Sequence, residues 1–95
     1  MPMPILQNLM EETVLRAIED LMNKQNMCTC EQCRLDVGAI ALNNLPPRYV
    51  VTPKGASYAR ADLLEVQKYV DVIGSITKAI KLVKEHPRHK IKNAK

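Results

Sequence analysis

Apolar side chains recur at three- and four-residue steps in three stretches of the chain, which predicts a mostly helical protein. In residues 4–24 the steps are Leu6, Met10, Val14, Ala17, Ile18 and Leu21, with Glu11, Glu12, Arg16, Glu19, Asp20 and Lys24 facing away. Pro4 suits the first turn of such a helix, because an N–H there would have no partner in any case. The second pattern runs from Glu31 to Leu45 and is apolar on two sides. Leu35, Ala39 and Leu42 share one face, and Val37, Ile40 and Ala41 share another. A helix of that kind is buried on both sides. Gly38 lies between the two faces, at a cost of about 1 kcal/mol relative to alanine, which suggests a close backbone approach. Pro46-Pro47 ends this helix, since the residue before a proline is pushed out of the α region.

The third pattern, residues 60–85, is the longest. Leu63, Val66, Val70, Ile73, Thr77 and Ile80 form a heptad-like seam, and Tyr69, Val72, Ile76, Ala79 and Val83 form a second apolar face beside it. Two other helices of the same chain can hardly cover so wide a stripe, so a homodimer using this helix is expected. Between Pro46 and Ala59 the sequence reads as an extended, proline-containing loop. Tyr49-Val50-Val51 could form a short strand, which Pro53 would limit. Pro87 stops the last helix, and residues 90–95 read as a basic tail. The expectation is an all-α single domain over residues 1–95, with three main helices and a long loop before the last, packed or intertwined as a homodimer.

Size and composition sharpen this picture. With 95 residues, no Trp, no Phe and three Tyr, the core must be built from Leu, Ile, Val, Met and Ala. A chain this short buries only about 60–65% of its unfolded surface, so a metal, disulfides or a second subunit is expected to support it. No secretory signal is visible in Met1-Pro2-Met3-Pro4, and no apolar run is long enough to span a bilayer. A cytoplasmic location is therefore expected, where cysteines stay reduced and clustered thiols read as metal ligands or redox groups.

All three cysteines fall within Cys28-Thr29-Cys30-Glu31-Gln32-Cys33. Zinc takes four ligands in a tetrahedron with sulfur at about 2.3 Å, and short spacings let one loop wrap it. The amino end of the second helix is expected to lower the thiol pKa values there. His86 and His89 are the only histidines. An antiparallel arrangement of the second and last helices would bring them to the same pole, completing a Cys₃His site. Either histidine could supply the fourth ligand. Competing readings are plain buried cysteines, a Cys30–Cys33 redox pair without the βαβ setting it needs, and a catalytic zinc. Three thiolates make the metal a poor Lewis acid, and no nucleophile–base pair stands out, so no enzymatic activity is expected.

The net charge is +4, unevenly spread. Residues 1–36 hold six acids and three bases, and residues 37–95 hold four acids and eleven bases. Arg48, Lys54 and Arg60, with Tyr49 and Tyr58, form a stretch that could grip phosphate with its cations and stack a base on its rings. Ordinary surface cations and tyrosine lids on the core account for the same residues. The few aromatics and short basic tracts argue against a nucleic-acid binder.

The run from Cys28 to Val50 is similar to the ComFB family of late-competence development proteins. It holds Cys-x-Cys-x-x-Cys, then Asp36-Val37-Gly38-Ala39-Ile40-Ala41-Leu42-Asn43, then Leu45-Pro46-Pro47-Arg48-Tyr49. Tyr58 with the following residues, and Pro87-Arg88-His89, resemble the family too. The likeness implies an all-helical homodimer with one zinc per subunit, acting in bacteria as a receptor for cyclic dinucleotides such as c-di-AMP or c-di-GMP. Some members use a fourth cysteine near the carboxyl end, for which a histidine would stand in here: His89, in the tail and free to turn back, is preferred, with His86 as the alternate. The alternative is a zinc-binding adaptor that docks an unidentified protein partner through its basic loop, with no nucleotide.

Overall fold

The computed structural model describes residues 4–86. Of these, 72% are helical, in four helices and one two-stranded ribbon. The elements run β1 (Gln7–Asn8), α1 (Leu9–Lys24), α2 (Glu31–Asn43), β2 (Tyr49–Val50), α3 (Pro53–Leu63) and α4 (Val66–Glu85). The expectation of three main helices with a long loop before the last is corrected in three places.

The first helix starts at Leu9, not at Pro4. Residues 5–9 run extended against residues 48–51: Ile5 N–H donates to Val51 O at 3.0 Å and Leu9 N–H to Arg48 O at 2.8 Å, in an antiparallel register of Gln7 with Val50 and Asn8 with Tyr49. Asn8 then caps α1 with its side chain, accepting from Met10 N–H at 3.1 Å and from Arg48 N–H at 2.8 Å. Leu6 therefore lies outside the helical seam and is exposed, while Leu9 takes a core position.

The loop of residues 46–59 contains most of a helix. Thr52 accepts from Gly55 N–H at 3.0 Å, and Pro53 occupies the first turn of α3, where its missing N–H costs nothing. The predicted long helix of residues 60–85 is in turn broken at Leu64–Glu65. Leu64 and Glu65 close the end of α3 with bonds to Ala61 O and Asp62 O, and the Glu65 carboxylate accepts from Lys68 N–H to start α4.

The core is a three-helix packing of α1, α2 and α4. Leu9, Met10, Val14, Ile18 and Met22 of α1 meet Cys33, Val37 and Ala41 of α2 and Val72, Ile76, Ala79, Ile80 and Val83 of α4. Each fully buried Val or Ile contributes roughly 1.5–3 kcal/mol relative to an exposed one. This apolar contact outweighs the exposed ion pairs, which are worth about 0–1 kcal/mol each. The close approach at Gly38 is present: an added Cβ would stand 3.4 Å from Ile18 Cδ1 and 3.6 Å from Leu15 Cδ2.

The helix α4 runs antiparallel to α2. Ser75 Oγ donates to Ala41 O at 3.1 Å near one end, and Lys84 Nζ donates to Gln25 O at 3.1 Å near the other. Of the two apolar faces predicted on this helix, the one through Val72, Ile76, Ala79 and Val83 is buried. The other is divided: Leu63 and Ile80 at its ends are buried, while Val66 and Val70 stay outside, 76% and 54% exposed. Helix α3 is attached more thinly, through Ala56, Ala59 and Leu63. No described helix is long and apolar enough to cross a membrane.

Candidate metal centre and ligand surface

The cysteines lie where α1 hands over to α2. Cys28 sits in the connection and is exposed. Cys30 is the N-cap of α2, its sulfur accepting from Cys33 N–H at 3.5 Å. Cys33 is one turn into the helix and buried. The spacing thus converts directly into geometry: a loop residue, a cap and a first-turn residue converge, and the three sulfurs lie within 4.8 Å of one another. A tetrahedral ion at about 2.3 Å from each sulfur needs them about 3.8 Å apart, so a small closure would let one ion hold all three.

The electrostatics of the metal-free cluster differ from the helix-dipole expectation. The Cys33 thiol is pushed up to about 12, first by burial and then by its hydrogen bonds with Cys30 and Cys28. A cation beside the Cys33 sulfur would offset the cost of ionising it there, and binding one would release protons. The soft, three-sulfur donor set fits zinc.

Among the described residues, the group of candidate ligands is these three cysteines; His86, exposed at the carboxyl end of α4, is not in it. His89 lies outside the described residues, as do Pro87, Arg88 and the basic tail of residues 90–95. The Lys84–Gln25 bond nonetheless brings the end of α4 to the connection that carries Cys28, so the antiparallel arrangement needed for a histidine to reach the cluster exists. One turn beyond Cys33, Asp36 is buried and accepts from Gln32 Nε2 at 3.0 Å. Its acidity amid an apolar pattern was a signal that helical periodicity alone passed over.

The five residues proposed to bind an anionic ligand lie at the opposite pole and do not share one cavity. Tyr49 is on β2 and Lys54 and Tyr58 are on the outside of α3, all exposed. Arg48 pairs with Asp62 at 3.6 Å. Asp62 also accepts twice from Lys68 Nζ, at 2.8 and 2.7 Å; these bonds, then the Lys68 and Arg48 charges, hold its carboxyl below the usual range. Arg60 donates Nε to Glu12 Oε2 at 2.7 Å and Nη2 to Oε1 at 3.4 Å, which lowers the Glu12 pKa and raises that of Arg60.

Of the five, Arg60 alone lines a described cavity, and it lines two. One, of about 380 Å³, lies between the ribbon and α3 beside Ile5, Val51 and Ala56. The other, about 480 Å³, is a groove between α1, the α3–α4 joint and α4. The carboxylates that hold the two arginines were missed from the sequence, because Glu12 is 48 residues from Arg60 and nothing local links them.

A cysteine cluster at a helix start, on a small antiparallel helical core with a two-stranded ribbon, defines a compact domain equipped to hold a metal through thiols. A family model, "Late competence development protein ComFB", matches residues 7–87, and the chain belongs to that family. It is 31% identical over 84 residues to "Competence protein ComFB" of Bacillus subtilis (strain 168), covering 87% of this chain and 86% of that protein. Its fold is similar to that in a solved structure, "Structural characterization of the late competence protein ComFB from Bacillus subtilis". The TM-score is 0.74 at 31% identity, over 87% of this chain and 94% of that one.

Proposed function

We propose that this protein is a small bacterial regulator: a zinc-stabilised, cytoplasmic homodimer without enzymatic activity that acts as a receptor for a cyclic dinucleotide. The observation that carries the reading is the convergence of Cys28, Cys30 and Cys33 within 4.8 Å at a joint to which α4 is also tied. Zinc there, completed by His89 or His86, clips the start of α2 to the end of α4 and supports a core that is small for its task. The exposed seam of α4 supports the dimer. Gly74 sits on it with nothing within 4 Å of an added Cβ, so the helix-weakening glycine has no partner among the described residues. The exposed cations and tyrosines at the ribbon pole support the anionic ligand.

One observation favours a second reading, an adaptor that docks a protein and takes no nucleotide. Arg48 and Arg60 already face Asp62 and Glu12, so their charge is matched before any ligand arrives. Calorimetry with c-di-AMP and c-di-GMP separates the two. The receptor reading requires saturable heat with at least one of them, and heat near zero with both leaves the adaptor. Elemental analysis tests the metal: one zinc per chain is expected, reduced by His89→Ala. A loss confined to His86→Ala reassigns the fourth ligand.

A further inference from the structure

An apolar strip on the outer face of α1 and α2 is not used by the core. Leu35 and Leu15 are 54% and 49% exposed, Ala39 is exposed and Leu42 is half-buried. Leu35, Ala39 and Leu42 follow at four- and three-residue steps, which places them on one side of α2. Leu15 reaches the same strip from α1. Its Cδ2 stands 3.6 Å from where a Gly38 Cβ would be, and Gly38 lies one turn from both Leu35 and Leu42. The two helices run antiparallel here, since Arg34, one turn before Gly38, reaches Glu19, one turn after Leu15, at 3.9 Å. The apolar side chains are thus contiguous, and a contiguous exposed patch marks an interaction surface where scattered residues do not.

The rim of this strip is acidic, in a chain whose net charge is +4. Glu11 and Glu19 flank Leu15 at one turn on either side, and Glu31 precedes Leu35 by one turn; all three are exposed. Arg34 answers Glu19 in an exposed, weak pair. Glu11 and Glu31 make no ion pair with a described residue. We infer that the outer α1–α2 face docks a basic amphipathic helix of a partner protein. Apolar side chains of that helix at i, i+3 or i+4, and i+7 cover Leu15, Leu35 and Leu42, and its lysines or arginines meet Glu11, Glu19 and Glu31. Recognition of a helix along a two-helix surface reads this spacing. Anionic membranes, nucleic acids and acidic helices are repelled by the rim, and an uncharged apolar segment leaves its carboxylates unmatched.

The face stands apart from those proposed above. The receptor and the adaptor both take their ligand at the ribbon pole, and the dimer uses the seam of α4. That seam, Val66, Val70 and Ile73, has the spacing of the expected helix but not its charge. The charged residues next to those three in sequence are Glu65 and Asp71, so a second copy would bring carboxylates to carboxylates. The test is fluorescence anisotropy of the intact chain with three labelled peptides of about 15 residues, the length at which an isolated helix holds. One is a helix with a leucine stripe flanked by lysines. The second has glutamates for the lysines, and the third is the basic peptide reordered so that its leucines share no face. The basic helix is expected to bind at least about tenfold more tightly than either of the others. Leu35→Glu weakens it about tenfold or more, as loss of a central anchor does, and circular dichroism confirms that the variant folds. Glu11→Lys with Glu31→Lys reverses the preference to the acidic helix, and Lys54→Glu leaves the affinity unchanged.

A basic helix bound no more tightly than the acidic or the reordered peptide overturns the docking face. So does an affinity indifferent to Leu35→Glu, or a double charge reversal that leaves the basic helix preferred. Loss of binding with Lys54→Glu alone moves the peptide to the ribbon pole, which is the adaptor's site and not this one. Sedimentation separates the second copy: a dimer that Leu35→Glu turns into a monomer gives the strip to self-association and ends the proposal, and a dimer that survives Leu35→Glu supports it.

Discussion

At the cysteine pole, α1, α2 and α4 meet through fully buried apolar side chains, and the polar chemistry is compressed into three sulfurs and one lysine–carbonyl bond. At the ribbon pole, α3 rests on two alanines and a leucine, and its position is set by the Arg60–Glu12 and Arg48–Asp62–Lys68 ion pairs. The same chain thus uses two kinds of cement. Apolar burial is short in range, strong and insensitive to salt, and a metal held by the three thiols would add to it. Exposed ion pairs are weak, screened and exchangeable. The difference assigns tasks: the first pole holds the fold, and the second is suited to respond to an anion that competes for its arginines.

The largest expected effect breaks the comparison at the cysteine pole. Cys33 is both a core residue and a metal ligand in the proposed site, so Cys33→Ser removes a thiolate and buries a hydroxyl. Zinc content should fall from one per chain to near zero. Unfolding free energy should drop by at least about 3 kcal/mol, because metal binding is folding free energy in small domains. Chelation of the wild type should reproduce most of that loss. If Cys33→Ser keeps both its zinc and its melting temperature, the first pole is held by packing alone and the contrast between the poles is one of degree.

The exposed seam of α4 belongs to neither kind of cement, and a change there sharpens the comparison. Val70→Glu places a charge on a stripe that already includes Val66 and Ile73 and should turn a dimer into a monomer. The dissociation constant should rise about 100-fold, or about 2.7 kcal/mol, measured by sedimentation. Gly74→Ala discriminates further. On a helix face open to water it raises stability by about 1 kcal/mol. At a helix–helix crossing it weakens the dimer instead, because the added methyl keeps two backbones apart. A monomeric wild type would remove the seam as an interface.

What could be read from the sequence divides along the same line. Met10, Val14 and Ile18, the start of α2, the close approach at Gly38 and the buried face of α4 all follow from local periodicity, and the cysteine cluster follows from its spacing; α2 ends at Asn43 and not at Leu45, and its Leu35–Ala39 side is exposed where two-sided burial was expected. These features belong to the three-helix core and the cysteine joint, where neighbours in sequence decide the packing. The ribbon pole is non-local. The pairing of residues 5–9 with residues 48–51, and of Glu12 with Arg60, joins positions about 40 or more apart. Helix α3 was hidden for a different reason. Its core face is Ala56, Ala59 and Leu63, too small to show as an apolar stripe, and Pro53 and Gly55 read as loop punctuation. Yet Thr52-Pro53 is also a cap followed by a first-turn proline, the local signal that could have revealed it.

The smallest expected effect is also the one specific to the ribbon pole. Glu12 has its pKa lowered from the ordinary glutamate value, first by the hydrogen bond from Arg60 and then by the Arg60 and Arg16 charges. A carboxyl depressed in the folded state contributes stability above its unfolded pKa, and loses it as the pH falls through the folded value. Glu12→Gln should therefore lower the melting temperature slightly at about pH 7, and the gap to wild type should close as the pH drops below about 4. Added salt at neutral pH should narrow the same gap, since the pair is partly exposed. Amide exchange in α3 should quicken in the variant while that of α2 stays as in wild type, because the lost tie joins α3 to α1 and leaves the cysteine pole untouched. Equal quickening in α2 and α3 would mean that the two poles form one cooperative unit, and that the ion pairs do not act as a separate, exchangeable cement.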